Sequence, residues 1–155
     1  MNAAAEQRPR AETEELQRAL QVLLTESTGL PRTIGRLERR ISPLSTSFPL
    51  EELTVIFPDG EQLELLFKNL SPRALTSIAQ HVKPPFLNDP RREIEVYRSI
   101  LNVASMGTAL CYGSVEDDDG DRYWLFLERI LGRELYQIGE VETWSTAARW
   151  IARFH

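Results

Sequence analysis

Cysteine is almost absent from these 155 residues, and the single thiol, Cys111, excludes an intramolecular disulfide framework. The two histidines, His81 and His155, stand far apart, so no His/Cys set with metal-ligand spacing exists in the chain. Basic excess is missing too. Eighteen Lys and Arg against 23 Asp and Glu give a formal charge of −5 and a pI near 5.2, opposite to the electrostatic footprint that nucleic-acid binding needs. The basic cluster "RLERR" at 36–40 is therefore read as a solvated strand edge. No apolar run approaches a membrane span, and the opening "MNAAAEQRPR" lacks the apolar centre of a signal peptide. These absences leave a soluble domain of a reducing cytoplasm as the expectation, with residues 1–10 a disordered leader and neither nucleic acid nor membrane as partner.

What is present suffices for a core: 42% of the residues are hydrophobic and 26% charged. In 11–29, Leu16, Ala19, Leu20, Leu23 and Leu24 gather on one side of a helix, while Glu14, Gln17, Arg18 and Gln21 fall opposite. Gly29 and Pro31 are its stop signals. From Thr33 the period changes, and "TIGRLERRIS", "LEELTVIF" and "ELLFKNL" read as three antiparallel strands, the last two joined by an Asp59-Gly60 hairpin turn. Ser71-Pro72 then starts a short helix to about Val82, with serine as its cap. Asp89-Pro90 opens a longer one over 90–104. "TALCYGSVE" and "RYWLFLERI" form a second hairpin about the acidic turn "DDDGD", and Gly132 and Gly139 bracket a crossing segment. The final helix, "ETWSTAARWIARFH", carries Trp144, Ala148 and Ile151 on one side and stops in mid-period without an end signal, so the chain reads as cut.

Chemistry centres on two residues. Lys68 shares a strand face with Glu64 and Leu66 and ends an apolar run, so its ammonium either snorkels to water or meets a partner. On the 90–104 helix, Glu93 falls in the middle of the arc made by Ile94, Val96, Tyr97, Ile100, Leu101 and Ala104, whereas Glu95 points away. A carboxylate there either complements the helix dipole or finds an opposite charge, because an unpaired buried charge costs on the order of several kcal/mol. Lys68 is the natural partner. Elsewhere, Asp117, Asp118, Asp119 and Asp121 are read as a solvated turn, His81 as a helix-surface residue, Cys111 as a small buried hydrophobe, and Trp124, Trp144 and Trp150 as packing residues.

The order of these segments, ending in "REIEVYRSIL", "GTALCYGSV", "YWLFLERILGREL" and "AARWIARFH", resembles the N-terminal lobe of the aminoglycoside phosphotransferase family, a branch of the protein-kinase-like fold. The resemblance covers about residues 33–155 and implies an α+β fold. Its five-stranded antiparallel sheet and packed helix would form an N-lobe over 30–130, preceded by the N-terminal helix and followed at 131–155 by the hinge crossing and first C-lobe helix. It implies that Lys68 pairs with the α and β phosphates of ATP, that Glu93 orients it, and that Leu127, Glu128, Arg129 and Ile130 form the hinge that binds the adenine edge. Ser45, Thr46 and Ser47 would stand in for a glycine-rich phosphate loop, since "ISPLSTSFPLEEL" has no glycine. The catalytic aspartate and the Mg ligands of the family follow the helix that "AARWIARFH" begins, so this chain is expected to bind ATP without turning over. The hydroxyl substrate would be held by a C-lobe, and the uncovered last helix invites self-association. A non-catalytic module that keeps the fold for partner binding, and a lobe completed by a separate C-lobe chain, remain the other readings.

Overall fold

The computed structural model describes residues 13–82, 84, 89–102 and 107–154. The expected leader, residues 83 and 85–88 of the Pro-rich break, the last two residues (103–104) of the expected 90–104 helix and His155 lie outside them. Helix α1 (Thr13–Thr28) forms on a stripe of leucines four apart. Leu16, Leu20 and Leu24 are at most 2% exposed, and Gly29, at φ 67°, ends the helix by donating its N–H to Thr25 O at 2.9 Å. The opposite face is not all given to water: Gln17 and Gln21 bond the Ile34 C=O and N–H, both at 3.1 Å, and so fix where the chain enters the sheet.

Five strands follow, β1 (Arg36–Ile41), β2 (Leu50–Ile56), β3 (Gln62–Asn69), β4 (Cys111–Asp117) and β5 (Arg122–Glu128), in the spatial order β1-β2-β3-β5-β4 with every pairing antiparallel. The fold is thus α+β, as the sequence suggests. Helices α2 (Ser77–Val82), α3 (Pro90–Val96) and α4 (Val141–Phe154) complete it. No helix among the described residues is long and apolar enough to cross a membrane.

Alternation along the strands sorts side chains onto two faces. Leu53, Val55, Leu65, Phe67, Trp124 and Phe126 form one core with the leucines of α1, and Phe67 stacks on Phe126 at 5.3 Å and meets Trp124 edge-on. Leu125, Leu127, Tyr123, Leu66 and Leu70 face the other way, against Ile94 and Tyr97. Asp89 caps α3 by accepting the Arg91 N–H at 3.0 Å, with Pro90 in the first turn. Beyond Val96 the helix widens into a π turn, Tyr97–Leu101. The extra residue in that turn shifts the phase, which is why Ile100, expected on the inner arc, is 53% exposed.

Several local expectations change. In the first hairpin only Gly60 takes positive φ, at 87°; Pro58 and Asp59 form an ordinary turn closed by Gly60 N–H to Phe57 O at 2.9 Å. In the second, Asp121 at φ 48° takes the left-handed position, and a Cβ at Gly120 would lie 2.6 Å from Asp117 Oδ2, so a larger residue there would push the Asp117 side chain aside. Ser71 does not cap a helix. Its hydroxyl accepts the Tyr123 N–H at 3.2 Å, and a 3-10 turn, Pro72–Ala74, separates it from α2. Trp144 and Trp150, expected to pack, are 45% and 41% exposed on α4, which buries none of its residues.

Gly113 is a point of tight contact between α1 and the sheet. It sits at φ 149° where the β4 register slips, and a Cβ would fall 2.8 Å from the Leu23 side chain. Gly113→Ala is therefore expected to destabilise the chain by about 1–3 kcal/mol. A thermal melt checks this, and an unchanged midpoint would show that Leu23 gives way freely.

Candidate functional site

Lys68 and Glu93 meet. Lys68, next to the end of β3, lies opposite Leu50 of β2 and Leu125 of β5, on the face that α3 covers. Its Nζ stands 2.7 Å from both carboxylate oxygens of Glu93, a residue of the first turn of α3. The side chains are 25% and 35% exposed, so the pair sits at the rim of the interface. Ile94, one residue on, is the side chain that α3 drives into the core. That anchor leaves Glu93 beside the core and open to solvent on one side.

Magnitudes separate this pair from a more deeply buried one. Arg39 and Glu51 are joined by two bonds, Nε to Oε2 and Nη2 to Oε1, each 2.9 Å, and both side chains are 6% exposed. Breaking so buried a pair costs about 3–5 kcal/mol, whereas a rim pair such as Lys68–Glu93 contributes on the order of 1 kcal/mol or less. The "RLERR" cluster is thus corrected: Arg39 is a buried structural cation on the α1 face, while Arg36 and Arg40 stay in solvent. The Lys68–Glu93 pair itself therefore adds little to the stability of the fold.

The loop between β1 and β2 ends beside Lys68, since Leu50, the first residue of β2, is that lysine's cross-strand partner. Within it Ser45 is committed to the loop itself: its hydroxyl donates to Ser42 O at 2.9 Å and accepts the Leu50 N–H at 3.0 Å. Ser45, Thr46 and Ser47 all line an open cavity of 460 Å³ with Thr76, Ile78, Ala79 and Val82. Of the four residues expected to form a hinge, Leu127 and Glu128 are still in the β5 ladder, opposite Leu66 and Leu65, and the Glu128 N–H is spent on Leu110 O at 2.7 Å. Only Arg129 and Ile130 lie past the strand. Arg129 turns back onto the sheet, 3.0 Å from Glu52 and 3.2 Å from Glu64, and Ile130 is 61% exposed.

The acidic turn is not free in solvent. Arg122 holds Asp117, Arg91 holds Asp118, and Arg73 Nε lies 3.0 Å from Asp121 Oδ2. Hydrogen bonds from Arg122 and the Gly120 N–H keep the Asp117 carboxyl below its usual range, and those from Tyr123 and Arg91 do the same for Asp118. Glu52 is lowered in turn by Arg40. Cys111 is half-buried, and burial pushes its thiol up, away from reactivity. His81 is a surface residue, with Nδ1 2.7 Å from Ser77 O.

Comparison with known proteins leaves the geometry to speak alone: no family model, curated protein or solved structure matches the chain. Sequence reasoning missed Glu51 and the Arg129–Glu52–Glu64 cluster. A signal for Glu51 existed, since it shares a strand face with Leu53 and Val55 and had to find a cation. A second was the scarcity of lysine, for Lys68 and Lys83 are the only two in the chain.

Because the folded carboxyls of Asp117 and Asp118 titrate below their unfolded value of 3.8, the stability they contribute is fully present above about pH 4 to 5 and is lost as pH falls through the lower folded values. Urea midpoints measured from pH 7 to pH 2.5 should hold steady and then fall below about pH 4, and Asp118→Asn should flatten that acid limb. An Asn variant with an identical acid limb would remove Asp118 from the account.

Proposed function

We propose that the chain is the ATP-binding lobe of a small-molecule phosphotransferase, of the kind that moves the γ-phosphate of ATP to a substrate hydroxyl, working in the cytoplasm. One observation carries the reading: a lysine on the third strand, held through both oxygens of a glutamate on the helix that covers the same sheet face. Phosphoryl transfer on the kinase fold uses a strand-three lysine and a helix glutamate in that relation. An ammonium has three N–H donors, and Glu93 faces two; the third is left for an α- or β-phosphate oxygen. The carboxylate keeps the flexible lysine stem from collapsing onto solvent, so the charge waits where phosphate arrives.

Of the loop residues, Thr46 and Ser47 are the ones that support a phosphate contact, because Ser45 is engaged within the loop. For the adenine edge, Arg129 and Ile130 are favoured over Leu127 and Glu128, whose backbone lies in the ladder. Mg²⁺, when bound, would screen the phosphates. By the family resemblance its ligands and the catalytic aspartate belong to a C-lobe, so these 155 residues bind and position without completing transfer.

A second reading, a kinase-fold module that binds a partner in place of a nucleotide, is favoured by the self-satisfied loop serine and by Arg129, which is tied back to Glu52 and Glu64. Calorimetric titration with Mg·ATP decides between them. Lys68→Ala should weaken binding by about 10- to 100-fold, the worth of a charge-assisted bond to phosphate, and Glu93→Gln by a smaller factor. Equal affinity in wild type and Lys68→Ala, or no binding in either, would overturn the nucleotide role and leave the partner-binding module.

A further inference from the structure

The turn "DDDGD" has no part in nucleotide binding, yet three of its carboxylates are taken by arginines from three different elements. Asp117 is held by Arg122 of β5, which also reaches Glu15 of α1. Asp121 is held by Arg73 of the 3-10 turn, and Asp118 by Arg91 of α3. Asp118 also accepts the Tyr123 hydroxyl at 2.5 Å, and the Arg91 guanidinium lies 5.9 Å from the centre of the Tyr123 ring. Arg91 is two residues ahead of Glu93. Five residues beyond Glu93, Arg98 crosses to β4, where it contacts Glu116 and donates to Ser114 Oγ at 3.2 Å. Asn102 continues the row, its side-chain amide bonding both the C=O and the N–H of Cys111, at 3.4 and 3.3 Å.

Among the described residues of this helix Ile94 is the one fully buried side chain, with Tyr97 of the π turn packed beside it. So narrow an apolar contact leaves rotation and sliding of the helix to be limited by its polar contacts. Two guanidinium contacts, about 10 Å apart along the axis at 1.5 Å per residue, remove both freedoms. Arg91 and Asp118 are 54% and 60% exposed, and Arg98 and Glu116 55% and 27%, so neither surface pair adds much to global stability. What they set is orientation, and Glu93 lies between them.

We propose that Arg91 and Arg98 are positioning residues that clamp α3 to the β4–β5 hairpin so that Glu93 turns both carboxylate oxygens to Lys68. The clamp stands on the contacts above, and its consequence for affinity rests on the nucleotide reading. Arginine suits the task because its planar fork fixes direction as well as charge, which a lysine ammonium does not.

The test uses the full 155-residue chain as wild type, as Arg91→Gln/Arg98→Gln and as Arg91→Lys/Arg98→Lys, each examined by amide hydrogen exchange and by Mg·ATP titration. In the glutamine variant the amides of 91–101 should exchange at least tenfold faster while those of β3 and β5 keep wild-type protection. Mg·ATP affinity should fall about tenfold, and the lysine variant should recover part of both losses. Wild-type exchange across α3 in the glutamine variant would overturn the clamp. Faster exchange with unchanged affinity would overturn the positioning role. If wild type binds no ATP, the nucleotide reading fails by itself, and the exchange comparison alone upholds or overturns the clamp.

Discussion

Strand β5 has no solvent face. Tyr123, Trp124, Leu125, Phe126 and Leu127 are all buried, although successive side chains point to opposite sides of the sheet. A strand of that composition needs a cover on each face, and burying a side chain such as Phe126 or Leu125 is worth about 1.5–3 kcal/mol. Helix α1 supplies one cover, with leucines four residues apart, and α3 supplies the other through Ile94. Lys68 is the β3 residue opposite Leu125, so whatever covers Leu125 passes beside Lys68. The meeting of Lys68 and Glu93 thus follows from the need to dry both sides of one strand.

The two kinds of cation in the chain divide the work. Arginine makes the contacts that fix structure: Arg39 to buried Glu51, Arg122 to Asp117 and Glu15, Arg129 to Glu52 and Glu64. Its fork holds a carboxylate in a fixed direction, which suits joints between elements. Lys68 is the exception, a compact, mobile point charge at the rim of an interface. A rim position is a poor choice for stability and a good one for a charge that must meet an incoming anion. Choice of residue, exposure and geometry therefore point the same way at this site.

Much of this was legible in the sequence because period and charge agreed. The three leucines of α1, the five strands, and an acid and an amine each stranded on an apolar face could all be read without coordinates. What was not legible depended on contacts between distant segments. Arg39 looked like part of an exposed basic run because its partner lies across the β1–β2 ladder. The aspartates of "DDDGD" looked solvated because the arginines that hold two of them, Arg73 and Arg91, come from far upstream. Ser71 had the look of a helix cap, but its hydroxyl was wanted by Tyr123, 52 residues away. The π turn after Val96 leaves no periodic trace, since one inserted residue shifts the phase without altering composition. The phosphate-loop and hinge readings came from resemblance rather than periodicity; what the backbone adds is that Leu127 and Glu128 lie in the β5 ladder while Arg129 and Ile130 follow it.

Nitrogen-15 NMR of the lysine ammonium groups tests the central claim most directly, because a chain with two lysines gives two signals to assign. If Lys68 is held by Glu93, its Nζ protons should exchange slowly enough with water to be seen, should correlate with the Glu93 side-chain carboxyl carbon, and should vanish into fast exchange in Glu93→Gln. An ammonium that exchanges like a free side chain, unaffected by Glu93→Gln, would contradict the account.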